Sequence, residues 1–142
     1  RGAVVITPTK TLAREWSARG ATAITPHVAA SAAPEGRVIV DEAYAIPPHL
    51  LVASLRRARD VVMLGDPHQI PALDFDGRCL TSAVDLGLQP TSWRTVSHRC
   101  PWDVCMFLRT DYPTITTTSK VLRSVVFTGE TIGQKIVFTQ VA

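Results

Sequence analysis

The chain has 142 residues, of which 46 % are hydrophobic and 19 % charged, with a formal net charge of +3. That balance suits one ordinary globular domain or pieces of two, and excludes a disordered or low-complexity chain. Apolar runs break off within about five residues, far short of the roughly 20 that cross a bilayer, no signal peptide is visible, and the weak basic bias permits a polyanionic partner without requiring one.

The first element is a buried-strand run, Ala3-Val4-Val5-Ile6, followed by Thr7-Pro8-Thr9. Residues 10–19 then read as a helix. Leu12 and Trp16 stand four apart, Thr9 can cap its start and Gly20 can stop it. A short strand over 21–25 is expected next, then Pro26-His27 and an alanine-rich link to Gly36. Val38-Ile39-Val40 is a second β-branched run, ending in Asp41-Glu42. Pro47-Pro48 opens a helix whose apolar face is Leu50, Leu51, Val52 and Leu55. Arg56, Arg57 and Arg59 gather near its end, where cations favour the helix dipole. Val61-Val62-Met63-Leu64 follows and ends in Gly65-Asp66, with Gln69 three residues on.

A β-branched run without alternation suits a strand buried on both faces, as in a parallel sheet covered by helices. In such sheets the ligand sits outside the carboxyl ends of the strands. Two neighbouring strand ends would bring Asp41, Glu42, Asp66 and Gln69 to one crevice, and that set suits a magnesium nucleotide. Asp41 can hold Mg²⁺ while phosphates and water complete the octahedron, and Asp66 adds a further acid. Glu42 can take the proton of an attacking water that Gln69 orients. The blander reading is that Asp41 and Glu42 cap the following helix. The second strand end with its own acid and amide favours the nucleotide.

Beyond Ile70-Pro71 lie the turn-rich ALDFDGR, a short helix over 82–86 and a connection over 87–92. Residues 93–96 are expected as a strand leading to Ser97-His98-Arg99-Cys100-Pro101. Pro101 then starts a helix with Val104, Cys105, Phe107 and Leu108 inward. Arg99 thus stands just ahead of a helix at a domain junction, where an arginine can offset charge on a γ-phosphate. Residues 121–127 and 135–140 read as strands. Cys79, Cys100 and Cys105 form no paired framework, which fits a reducing compartment. His98, Cys100 and Cys105 match no common zinc spacing and read as a histidine beside ordinary thiols.

VIVDEAY followed by LGDPHQIP resembles motifs II and III of superfamily 1 helicases, P-loop NTPases built on RecA-like domains. It does not resemble the DEAD-box class, whose second strand ends in Ser-Ala-Thr. TPTKTLAREW resembles motif Ia, and SHRCPWDVC resembles motif IV of the viral branch. TTSKVLRS and GQKIVFTQ are similar to that branch's second domain, so the likeness covers nearly the whole chain.

The resemblance implies an incomplete RecA-like α/β fold: residues 1–90 as part of the first ATPase domain and 91–142 as the start of the second. It implies ATP or another NTP with Mg²⁺ as cofactors, hydrolysis coupled to RNA duplex unwinding, and removal of the RNA 5′ γ-phosphate at the same site. Asp41 would hold Mg²⁺, with Asp66 beside the nucleotide. Glu42, Gln69 and Arg99 would be catalytic. Thr7, Thr9, Lys10 and His27 would face RNA. The partners implied are RNA and the methyltransferase and RNA-dependent RNA polymerase domains of the same viral polyprotein, in a replication complex in the host cytoplasm.

None of the eight glycines is followed by lysine, so the chain holds no Gly-Lys-Ser/Thr phosphate loop. An internal segment of a longer polyprotein is therefore expected, without ATPase activity of its own. Two rivals remain: a non-catalytic nucleotide- or RNA-binding module of a replication polyprotein, and a P-loop ATPase that is not a helicase.

Overall fold

The computed structural model describes residues 2–72, 86–88 and 90–125. The chain divides into two compact units, Arg1–Gln89 and Pro90–Ala142.

In the first unit four parallel strands, β1 (Val4–Ile6), β2 (Thr22–Ile24), β3 (Gly36–Val40) and β4 (Ala58–Met63), form a sheet in the order β2-β1-β3-β4. Helices α1 (Lys10–Ala18), α2 (Pro26–Ala32) and α3 (Pro48–Leu55) make the crossovers. The fold is the parallel α/β sheet flanked by helices that the sequence implied. From β1 the chain steps to β2, then jumps back over β1 to β3 and continues to β4. Right-handed crossovers place α1 on one face and α2 with α3 on the other. The order therefore reverses between β1 and β3, which opens a crevice at their carboxyl ends.

Local chemistry explains the boundaries. The Thr9 hydroxyl accepts the Leu12 N–H at 3.2 Å and caps α1. Gly20, at φ +87°, ends it, with the Ala21 N–H returning to the Trp16 carbonyl. The core gathers Ile6, Val38 and Val40 from the sheet, Ala29 from α2, Leu51 from α3, and Ala43 and Ile46 from the link after β3. The buried Ser54 hydroxyl joins α3 to α2 by donating to the Pro26 carbonyl at 3.0 Å.

Several expectations are corrected. The alanine-rich link is largely helix α2: Pro26 presets the first turn, Ala29, Ala30 and Ala32 favour helix, and burial against α3 completes it. The basic cluster after α3 does more than meet a dipole. Arg56 donates to the Ala30 carbonyl and Arg57 pairs with Glu35, while Arg59 lies within β4. β4 starts at Ala58, and it is not buried on both faces. Val61, Val62, Met63 and Leu64 remain 36–45 % exposed because β4 ends the sheet among the described residues.

In the second unit β5 (Val96–Ser97) pairs in parallel with β6 (Thr116–Thr117), and α4 (Trp102–Phe107) follows Pro101. The expected strand over 93–96 reaches ladder geometry only at Val96. Val104 and Cys105 are buried, but Phe107 turns outward at 55 % exposure. Burial, with Cys100 close by, pushes the Cys105 thiol up. Residues 121–125 are not strand. They return over α4, where the Asp103 carboxylate accepts the Ser124 N–H at 2.5 Å, the Val125 N–H at 2.7 Å and the Ser124 hydroxyl at 3.0 Å. The rest of that expected strand, the strand over 135–140, and the helix over 82–86 save Leu86 lie outside the described residues.

The Ser124 N–H foremost, then the Val125 N–H and the Ser124 hydroxyl, hold the Asp103 carboxyl at about 2, against an ordinary 3.8. The lowered value means this clasp contributes stability above pH 3.8 and loses it as pH falls towards 2. Unfolding midpoints measured across that window should fall in the wild type, with a component that Asp103→Asn lacks. Parallel curves for the two proteins would contradict the clasp.

Candidate nucleotide site at the strand ends

Register decides what meets at the crevice. Ile6 stands opposite Val40, and Val40 opposite Met63. The next residues out are Thr7, Asp41 and Leu64, and beyond them Pro8, Glu42 and Gly65. Hydrogen bonds continue the ladder past the strands: the Asp41 N–H donates to the Ile6 carbonyl and the Leu64 N–H to the Val40 carbonyl, both at 2.8 Å.

A cleft of about 380 Å³ opens on this rim, lined by Pro8, Glu42, Tyr44, Ala45, Asp66, His68, Gln69 and Ile70. Glu42, Asp66 and Gln69, singled out from sequence, thus share one cavity. Glu42 holds a left-handed backbone, φ 53° and ψ 50°, a conformation that costs a non-glycine residue about 1–3 kcal/mol. It begins the 3-10 turn Ala43–Ala45 without a side-chain capping bond, so capping does not account for its carboxylate. The Ala43 N–H, released by that turn, donates to the Leu64 carbonyl at 2.8 Å and ties the two strand ends together.

Asp66 organises its own loop. One carboxylate oxygen accepts the His68 N–H at 3.0 Å and the other accepts the Gln69 side-chain amide at 3.2 Å. Gln69 is therefore held by the acid that precedes it, with its side chain at the cleft. Gly65 is glycine for a steric reason. A Cβ there would stand 2.9 Å from the Tyr44 ring and 3.1 Å from the Ala43 nitrogen. Tyr44 in turn donates its hydroxyl to the Leu88 carbonyl at 3.4 Å.

Asp41 is half-buried beside the cleft but does not line it. Its Oδ2 accepts the Trp16 indole N–H at 2.7 Å. The residues expected at RNA divide. Lys10 and His27 are exposed in the first turns of α1 and α2, on the same rim. Thr9 is exposed but spends its hydroxyl on the α1 cap. Thr7 is fully buried and donates to the Thr9 carbonyl at 3.2 Å, so its hydroxyl presents no surface to a phosphate. Arg99 belongs to the second unit and is exposed after β5. There the Ser97 hydroxyl oxygen accepts the Arg99 and Cys100 N–H groups.

Sequence reasoning missed Pro8, Tyr44 and His68 in the cleft and the Trp16 partner of Asp41. The register row exposes Pro8. Trp16 looked like a helix's apolar face, and nothing in its spacing with Leu12 pointed its N–H at an acid.

The pattern of the viral superfamily 1 RNA helicase core domain matches residues 2–142. The chain belongs to that family. It is 98 % identical over 142 residues to the non-structural polyprotein pORF1 of avian hepatitis E virus (isolate Chicken/California/Meng), covering 100 % of this chain and 9 % of that protein. The identity is 52 % over 139 residues to the pORF1 polyprotein of hepatitis E virus genotype 3 (isolate Swine/United States/swUS1), covering 98 % of this chain and 8 % of that protein. For genotype 1 (isolate Human/Pakistan/Sar-55) it is 51 % over the same shares. The chain thus spans less than a tenth of these curated relatives.

The contact at Gly65 carries a prediction for this helicase segment. Gly65→Ala should push the Tyr44 ring or the 43–44 backbone aside and lower stability by about 1–3 kcal/mol, the usual cost of overpacking. Urea unfolding measures it, and an unchanged midpoint would mean that the two strand-end loops are not in contact.

Proposed function

We propose that this chain is part of an NTP-driven motor that unwinds RNA duplexes, with the terminal phosphates of the nucleotide at the Glu42–Asp66–Gln69 cleft. The observation that carries the reading is the convergence of those three side chains, from two different strand ends, on one cavity.

Magnesium fits the donor set. No group of three His, Cys, Asp or Glu side chains among the described residues could hold a metal ion as an all-protein cage. Nucleotide sites do not need one, since one or two carboxylates serve and phosphates and water fill the remaining positions. Asp41 is the carboxylate for this role, with Asp66 nearby, and the bound ion would offset phosphate charge. The other roles belong to the chain itself. Glu42, fixed by its turn, accepts the proton of the attacking water. Gln69, tethered to Asp66, orients that water. Arg99, from the second unit, adds positive charge as the γ-phosphate leaves. RNA would run along the helix starts that carry Thr9, Lys10 and His27, while buried Thr7 shapes that turn from below. The same cleft would serve a 5′-triphosphatase reaction, because an RNA 5′ end offers the same terminal phosphate.

The exposed run of β4 suits a further strand ahead of a phosphate-binding loop, which would pair with its edge and cover its apolar side chains. In this reading the motor acts in a viral replication complex in the cytoplasm, beside methyltransferase and polymerase domains of the same polyprotein. A non-catalytic binding module explains less, since it has no use for a carboxylate held at φ 53°.

In a protein carrying this chain with a phosphate-binding loop, Glu42→Gln should lower RNA-stimulated kcat by about 10²–10⁴-fold and leave nucleotide affinity nearly unchanged. Steady-state hydrolysis with equilibrium nucleotide binding checks this. Turnover equal to wild type would remove Glu42 from the mechanism.

A further inference from the structure

We infer that Trp16 is a positioning residue for the nucleotide site: its indole N–H fixes the Asp41 carboxylate in the orientation that receives the metal. The inference rests on the nucleotide reading above and adds a residue from outside the cleft. Trp16 and Asp41 are 25 residues apart in sequence, yet Nε1 and Oδ2 lie at 2.7 Å.

The contact has the properties of a built support. An indole N–H only donates and an ionised carboxylate only accepts, so the polarity of the bond is fixed. A bond to a charged acceptor is among the stronger kinds, and half-burial limits competition from water. One further contact meets the ring, and the main chain that carries it is pinned. The Arg19 guanidinium carbon lies 5.9 Å from its centroid, and the Trp16 carbonyl accepts the Arg19 and Ala21 N–H groups in the turn that ends α1. The Asp41 main chain is anchored in turn by its N–H on the Ile6 carbonyl at 2.8 Å. With both main chains anchored, the indole bond commits one carboxylate oxygen and restricts how the group can rotate. Carboxylates that bind metals are commonly oriented by such a partner, whose loss weakens metal binding by about 10–100-fold.

Trp16→Phe keeps the ring, its packing and the Arg19 contact, and removes only the donor. In a helicase protein carrying this chain with a phosphate-binding loop, Mn²⁺ binding in the presence of a non-hydrolysable ATP analogue can be followed by electron paramagnetic resonance. Trp16→Phe should weaken Mn²⁺ by about tenfold or more, with affinity for the metal-free analogue unchanged. A variant that binds Mn²⁺ as tightly as wild type, while Asp41→Asn loses it, would overturn the role of Trp16 alone. Equal weakening of metal-free and metal-loaded binding would reduce Trp16 to general packing and also overturn it. Absence of nucleotide-dependent Mn²⁺ binding in the wild type would remove the nucleotide site and this inference with it. A second readout avoids the substitution altogether. With every other tryptophan of that protein replaced by Phe, Trp93 and Trp102 among them, Trp16 emission should shift when Mg²⁺ joins the bound analogue, and not shift in Asp41→Asn. A constant emission under saturating Mg²⁺ would contradict the arrival of the metal at the carboxylate that Trp16 holds, and with it the positioning role.

Discussion

The parallel register of β1, β3 and β4 is the constraint on which the rest of the site depends. Because Ile6, Val40 and Met63 lie in one row, three chain segments leave the sheet level with one another. The ladder is extended by the Asp41 and Leu64 N–H groups, so the first residues beyond the strands are still held by backbone bonds. Side chains alternate along a strand, so a slip of one residue would turn Val38 and Val40 out of the core and carry the acids away from the crevice. Burial of the two valines at 0 % exposure is thus what holds the register of the rim. The Arg37–Asp60 pair, exposed and 2.6 Å long, sits just past the irregularity at Gly36 and adds little energy.

Past that row the chain departs from low-energy geometry in a localised way. Glu42 takes a left-handed conformation, and the turn it begins presses so close to Gly65 that a side chain there would have to displace it. Both features lie between the two loops that hold the cleft. The same closeness lets Ala43 bond to Leu64, so a shift in one loop is felt in the other. In the proposed motor this connection would join the acid assigned to the attacking water to the amide assigned to the phosphate, so that hydrolysis could alter the grip on RNA.

Much of this was legible in the residues. Runs such as Val38-Ile39-Val40, the capping Thr9 and Pro47-Pro48 at the start of α3 act locally, and they produced strands and helices near their expected places. The convergence of Glu42, Asp66 and Gln69 was legible because a parallel sheet sends all its carboxyl ends the same way. What was not legible depends on neighbours distant in sequence. An alanine-rich stretch becomes helix only when α3 covers it. The run at Val61 looks like a central strand in composition, and its exposure depends on which strand lies beside it. Thr7 looked like a surface hydroxyl, but register places it under the rim. The indole of Trp16 meets Asp41 only after α1 folds back over the sheet.

Localised cleavage tests the central claim, that one rim built from the ends of β3 and β4 surrounds the metal-bound nucleotide. Fe²⁺ substituted for Mg²⁺ and supplied with hydrogen peroxide and ascorbate generates hydroxyl radicals that cut the backbone nearest the metal. In a helicase protein carrying this chain and a phosphate-binding loop, with nucleotide bound, cuts within this chain are expected to cluster at residues 41–42 and 65–69 and to vanish without nucleotide. Nucleotide-dependent cuts that spare both loops and fall elsewhere would contradict it.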